Sequence, residues 1–245
     1  MADKMGPGKA GRVLRYAAFL RDWRKFQSLA KKTRPRLLAS WRDLYPCLSD
    51  NTPTTDFDRH YVYHTAWAAR VLARMRPEYH TDISSFLYFS TIVSAFLPVR
   101  FFDLRPAKIY LENLTTNTAD LLHLPFTDES IPSLSCMHVV EHAGLGRYGD
   151  SLDPDADLKA ISELKRVLSP GGTLLFVVPI GTPRILFNAH RVYSFEQISD
   201  YFSGLSLSEF SLIADDVRDG DGILDTHGKL KLEQHQGCGC FIFRK

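Results

Sequence analysis

The sequence lacks most of the features that would settle a functional class at once. Four cysteines in 245 residues (Cys47, Cys136, Cys238, Cys240) are too few for a disulfide framework in a chain this long. Cys238-Gly239-Cys240 sets one residue between its thiols, not the two of common zinc or redox pairs, so reduced thiols without a metal are expected. On a strand the two side chains would share one face. No uninterrupted apolar run of about 18 residues occurs, so no membrane-spanning helix is expected. Arg12, Arg15, Arg21 and Arg24 break up the N-terminal apolar residues before a secretory hydrophobic region can form, so a cytoplasmic location is expected. Zinc-finger, RNA-binding and helix-turn-helix signatures are missing, and nucleic acid is not an expected partner. There is no phosphate-binding Gly-Lys-Ser/Thr loop, no internal repeat and no low-complexity tract.

What is present is an ordinary globular composition, 44% apolar and 24% charged. The net charge of +2 is unevenly spread. Residues 1–50 carry twelve Lys/Arg against four Asp, a balance of +8, and the remainder carries −6. We therefore expect a basic, partly helical extension with its linker over residues 1–58, followed by an α/β domain over residues 59–245. Residues 1–10, rich in Gly, Lys and Pro, are expected to be disordered. Leu14, Ala17, Ala18, Phe19, Trp23, Phe26 and Leu29 recur at three- and four-residue steps, which predicts an amphipathic helix from Arg12 to Ala30. Its basic face either stays in water against the main domain or meets an anionic membrane or acidic partner.

The most informative stretch runs from Leu164 through Ser169-Pro170-Gly171-Gly172 to Pro179. It reads as a helix end, a Pro-Gly-Gly stop and a buried strand over Thr173–Val178. Helices are expected at Arg59–Met75, Leu87–Phe96, Asp157–Leu168 and Ser194–Phe202, the last with Ser194 as N-cap and Gln197 completing a capping box. Strands are expected at Tyr79–Ile83, Val99–Leu104, Lys108–Leu114, Ser133–Val139, Leu205–Ala214 and Gly239–Phe243, the last two as an antiparallel pair. The alternation argues for a doubly wound, mostly parallel sheet.

In such sheets ligands bind beyond the carboxyl ends of the strands, so the residues following each strand are the candidates. Asp103, after the second strand, can accept from two vicinal ribose hydroxyls, or it can pair with Arg105 in a turn. His138-Val139-Val140-Glu141-His142 spells a zinc-peptidase pattern, but a strand reading of Ser133–Val139 denies the histidines a shared helical face. Glu141 and His142 suit acid–base work or a helix cap. Three glycines in Gly144-Leu145-Gly146-Arg147-Tyr148-Gly149 suggest a mobile lid, with Arg147 able to clamp an anion. Arg184, Asn188, His190 and Arg191 are expected at the same rim, which would suit an anionic acceptor, or they are solvated loop charges.

The Pro-Gly-Gly strand, Leu124-Pro125-Phe126 and Ser135-Cys136-Met137-His138-Val139-Val140-Glu141-His142 together resemble the second half of a class I S-adenosylmethionine-dependent methyltransferase. More narrowly, His64-Thr65-Ala66-Trp67-Ala68-Ala69-Arg70, Asp82-Ile83-Ser84-Ser85, the glycine-rich loop and Asn188-Ala189-His190-Arg191 resemble the DUF268 domain family over roughly residues 60–243. The resemblance implies a seven-stranded, methyltransferase-like Rossmann fold with a helical N-terminal extension, and S-adenosylmethionine as cofactor. It implies that Asp82, Ser84 and Ser85 meet the methionine–ribose side, Asp103 the ribose, Asp120 and Leu121 the adenine, and that His138 lines the cleft floor. Serines stand where that pattern wants glycines. Glu141, His142 or His190 would be the base, with Arg147 and Arg191 orienting the acceptor. The implied acceptor is a glycan or sugar nucleotide of surface-polysaccharide biosynthesis. The alternatives are non-methyl chemistry on a nucleotide sugar, or a non-catalytic binding subunit of the same fold.

Overall fold

The computed structural model describes residues 9–32, 37, 39–215, 222–225 and 235–245. Of residues 1–10, expected to be disordered, 1–8 lie outside the described residues, while Lys9 and Ala10 belong to the first helix. The chain divides into two units, Met1–Phe57 and Asp58–Lys245.

In the first unit, α1 (Lys9–Ala30) is followed by a short 3-10 turn at Trp41–Asp43. Residues 39–48 fold back along the helix: Gln27 Nε2 donates to Ala39 O at 2.8 Å, Arg15 Nη1 donates to Leu48 O at 3.2 Å, and Trp41 meets Trp23 edge-on. The expected amphipathic stripe is not there. Val13, Leu14, Phe26 and Leu29 are all exposed, because the apolar positions are spread around the helix and not gathered on one side.

The second unit contains α2 (Arg59–Met75), β1 (His80–Ile83), α3 (Leu87–Val93), β2 (Val99–Asp103), β3 (Leu114–Thr118), β4 (Ile131–Met137) and α4 (Ala156–Val167). It continues with β5 (Leu168–Ile180), β6 (Arg184–Leu186), β7 (His190–Val192), α5 (Phe195–Tyr201), β8 (Ser206–Ile213), β9 (Leu224–Asp225) and β10 (Gly237–Arg244). The main sheet has the order β3-β2-β1-β4-β5-β10-β8-β9, seven principal strands plus the two-residue β9 at the edge. β3, β2, β1, β4 and β5 pair in parallel, and β10 lies antiparallel between β5 and β8. The switch in strand order falls between β1 and β4.

Alternation along β5 shows why its sequence is uniformly apolar. Leu174, Phe176 and Val178 join one core with Ala160, Ile161 and Leu164 of α4 and with Ile198 and Phe202. Leu175 and Val177 join the other with Trp67, Val71 and Leu72 of α2 and Phe89 and Val93 of α3. Both faces are covered, so neither can be polar. α2 starts at the N-cap Asp58, whose side chain accepts from Tyr61 N, and ends at Arg76 in a left-handed conformation. The capping box of Ser194 and Gln197 is formed as expected.

Two local expectations are corrected. The third strand is Leu114–Thr118, not Lys108–Leu114. Its threonines suit an extended edge, and it pairs with β2 from Val99↔Leu114 to Asp103↔Thr118. Pro170-Gly171-Gly172 does not separate helix from strand either. β5 begins directly after α4, and the register jumps from Ile131↔Leu168 to Ser133↔Thr173, so these residues bulge out of a continuous strand.

Candidate functional site

β1, β2 and β4 deliver their carboxyl ends to one place, and a cleft of about 300 Å³ opens there. Its lining includes Ser84 after β1, Asp103 and Leu104 at the end of β2, Asp120 and Leu121 after β3, and His138 and Val139 after β4. The turn that follows adds His142, Tyr148 and Asp150. Carboxylates and apolar walls thus alternate around a slot at the switch in strand order, where open α/β sheets bind ligands.

Asp103 is held by its neighbours but not saturated. Oδ2 accepts from Ser84 Oγ at 2.6 Å and Oδ1 accepts from Arg105 N at 2.7 Å. Each carboxylate oxygen keeps a second lone pair for a ligand hydroxyl. Ser84 sits at φ +54, the left-handed region that a glycine would take, and its hydroxymethyl group folds onto Asp103. Asp120 Oδ1 accepts from Leu122 N at 2.9 Å, a local turn that presents Leu121 and Leu122 to the cleft.

Asp82 and Ser85, expected beside Ser84, are turned away from the cleft. Ser85 Oγ accepts from Met137 N at 3.0 Å, tying the loop to the end of β4. Asp82 is fully buried; its Oδ1 accepts from Ser135 Oγ at 2.6 Å and its Oδ2 accepts from Ser90 Oγ. Burial pushes the Asp82 carboxyl up, against the pull of these hydroxyls. Ser135 donates to Asp82, so it accepts from His80 Nε2 at 2.8 Å, and Ser133 then donates to His80 Nδ1 at 2.8 Å. This buried chain supports the loop from below.

The turn after β4 carries the titrating groups. His138 is at φ +57, and its Nδ1 lies 2.7 Å from Glu141 Oε1. Burial lowers its pKa to about 4. Glu141 is buried outside the cleft lining, and desolvation raises it to about 7 while His142 pulls it down. His142 does line the cleft. Ala189 O can only accept, so at 2.6 Å it fixes the Nδ1–H tautomer and leaves Nε2 as the proton acceptor. Burial keeps His142 below its ordinary value, opposed by Glu141.

The glycine-rich loop is a tied turn and not the expected mobile lid. Asp150 accepts from Gly146 N and Tyr148 N, and Leu145 is buried. Arg147 Nη1 donates to Ala189 O at 3.1 Å, and its guanidinium packs over Tyr148, as does that of Arg105. Arg191 does not reach the rim. It is buried, donates from Nη1 to Ala143 O at 2.6 Å and from Nη2 to Pro154 O at 3.1 Å, and faces Asp157. His190 lies outside the lining, where its Nε2 accepts from Gln236 Nε2 at 2.8 Å. Arg184 is turned to the carbonyls of Thr182 and His235. Of the residues expected to act, the structure therefore gathers Ser84, Asp103, Asp120, Leu121, His138 and His142 around the cleft. Tyr148, expected only as part of the glycine-rich segment over the pocket, forms one wall of the cleft.

Comparison with curated proteins gives no match. Residues 127–219 match the DUF268 family, described as a Caenorhabditis protein of unknown function. Among solved structures, one similar chain belongs to the complex between the Haloferax volcanii Trm112 methyltransferase activator and a candidate methyltransferase. It is 21% identical with a TM-score of 0.52, over 76% of this chain and 90% of that one. A candidate sarcosine dimethylglycine methyltransferase from Galdieria sulphuraria is 14% identical with a TM-score of 0.53, over 75% and 86%. The [4+2]-cyclase SpnF reaches a TM-score of 0.50 at 12% identity, over 74% and 81%. The chain thus has the fold of the class I S-adenosylmethionine-dependent methyltransferases, and its segment 127–219 matches DUF268.

Proposed function

We propose that this protein is an S-adenosylmethionine-dependent methyltransferase acting on a small, anionic acceptor, in the first instance a glycan or sugar nucleotide. The observation that carries the reading is the cleft at the switch in strand order, where Asp103 and Asp120 stand beside the apolar side chains of Leu104, Leu121 and Leu122. That set of acceptors fits a nucleoside: Asp103 has lone pairs for two ribose hydroxyls, Asp120 can accept from an exocyclic amine, and Leu121 can pack on a base. The Ser84 side chain lies against Asp103, donating to its carboxylate. The cofactor, when bound, supplies an electrophilic methyl group.

The chain's own residues then position and deprotonate. Neutral His142 takes the acceptor's proton at Nε2, while its Nδ1–H stays on Ala189 O. Glu141, with Oε1 at 3.9 Å from His142 Nε2, stabilises the imidazolium that forms. Arg105 and Arg147, both over the Tyr148 ring, give the mouth of the cleft a positive edge that supports an anionic acceptor.

The test is transfer of an isotopically labelled methyl group into a panel of sugar nucleotides and phosphorylated glycans. The reading predicts product with the wild type and a drop in kcat of about 10²–10⁴-fold in His142→Gln, with cofactor affinity retained. The acid limb of kcat should lie below the ordinary imidazole value of about 6.5, because burial lowers His142. Nucleotide-sugar binding without label transfer would instead support non-methyl chemistry, the reading favoured by the same two arginines. Binding of neither would leave a non-catalytic subunit.

A further inference from the structure

We propose that His64, His138 and Cys238 form a zinc-binding site under the floor of the cleft. The three residues come from α2, from the turn after β4 and from β10, and one ligand atom of each lies within 4.8 Å of the other two. Cys238 Sγ is 3.3 Å from His138 Nε2. Ligands at zinc–nitrogen and zinc–sulfur bond lengths in a tetrahedron stand about 3.3–3.7 Å apart, so side-chain adjustment alone closes the cluster.

The surroundings prepare both rings for a cation. His64 Nδ1 donates to His60 O at 2.7 Å, and His138 Nδ1 donates to Glu141 Oε1 at 2.7 Å. Each bond places the ring proton on Nδ1 and leaves the Nε2 lone pair for the metal, the arrangement in which a carbonyl or carboxylate orients a ligating histidine. His64 is completely buried, yet its Nε2 has no hydrogen-bond partner among the described residues. An orphaned acceptor in such a place is expensive, and a cation would satisfy it. Tyr61 stacks on the His138 ring at 5.4 Å and holds its plane.

Two imidazoles and one sulfur suit zinc, and three protein ligands leave one coordination position open. On binding, Cys238 releases its thiol proton to solvent and a sulfur–zinc bond forms. The thiolate and the Glu141 carboxylate then balance the charge of the dication. Oε2 of Glu141 likewise has no partner among the described residues. His138 belongs to both the cluster and the cleft lining, so metal binding would fix the floor of the cleft. The sequence alone pointed away from a metal because each local pair, His138 with His142 and Cys238 with Cys240, contributes only one member.

The test is cobalt titration of the chelator-stripped full-length protein, in a Cys47→Ser background that removes the exposed thiol. The expected result is about one equivalent bound, with thiolate-to-cobalt charge-transfer absorption that zinc abolishes by displacement. The band should vanish in Cys238→Ser and persist in Cys240→Ser. Affinity should fall by about 10–100-fold in Glu141→Gln, which keeps the side-chain shape. Far-UV circular dichroism checks each variant's fold; should Cys238→Ser fail to fold, the wild-type stoichiometry and Glu141→Gln decide. Binding below about a tenth of an equivalent, or a band that survives Cys238→Ser in folded protein, overturns the proposal. None of these readouts depends on cofactor binding or methyl transfer.

Discussion

Ser84 shows how a single residue can meet a demand usually met by glycine. At φ +54 it carries a strain of roughly 1–2 kcal/mol, offset by its hydrogen bond to the Asp103 carboxylate. Ser84→Gly removes both terms, and its stability in urea should stay within about 1 kcal/mol of wild type. Ser84→Val keeps the strain and loses the bond, so it should cost about 2 kcal/mol or more and obstruct the cleft. His80 supports a pH prediction. Burial lowers it to about 3, and it stands neutral between Ser133 and Ser135. A folded value below the unfolded one means its contribution is present above about pH 6.5 and is lost as pH falls toward 3, by up to about 1.4 kcal/mol per unit. Urea denaturation between about pH 4 and 7 should show a shallower decline in His80→Gln than in wild type. Asp103 was placed from the strand it follows, whereas Asp120 was placed only by the resemblance, because the expected third strand ended at Leu114 and the observed one runs on to Thr118. Asp82 and Ser85 were misplaced because their orientation is set by Ser135, Ser90 and the amide of Met137, which only the folded sheet brings near.

At the scale of elements, the turn after β4 is held from several sides. Gly144 has φ +72, and a Cβ there would run into the Asp153 carbonyl oxygen and the Ala156 side chain. Arg191 reaches across from β7 to the carbonyls of Ala143 and Pro154, while Tyr193 donates to Asp157 at 2.9 Å. Removing a buried cation and leaving its acceptors unpaired costs about 3–5 kcal/mol. Arg191→Ala should therefore lower the Tm well beyond the effect of Arg147→Ala, whose guanidinium is exposed, and Gly144→Ala should do the same. An equal effect of Arg191→Ala and Arg147→Ala in thermal melts would show that Arg191 is not the anchor. The sequence reveals an arginine near a glycine-rich loop but not whether it faces ligand or backbone. α2, with its strong periodicity, and α5, with its full capping box, were readable, as was the apolar run of β5 from Thr173 to Val178, though not its start at Leu168. β3 was not, because Leu114-Thr115-Thr116-Asn117-Thr118 has one buried residue and its pairing with β2 is non-local.

For the whole molecule, order in the sheet does more than any motif. Two cores, one on each face, fix β5 at the centre, and the strand order places the ends of β1, β2 and β4 around one cleft. Alternation of strand and helix over much of the second unit made that architecture readable before any coordinate. The cluster of His64, His138 and Cys238 was unreadable for the opposite reason: its members are close only because α2 covers the sheet where β10 has been inserted. No helix among the described residues is long and apolar enough to cross a membrane.

The central claim is that the cleft holds S-adenosylmethionine with Asp103 on its ribose. Isothermal titration of the full-length protein with S-adenosylhomocysteine tests it most directly. The account predicts a single saturable site whose affinity falls about 10–100-fold in Asp103→Ala, the loss of a hydrogen bond to a charged group. Absence of heat with folded wild type, or binding that Asp103→Ala leaves unchanged, would contradict it.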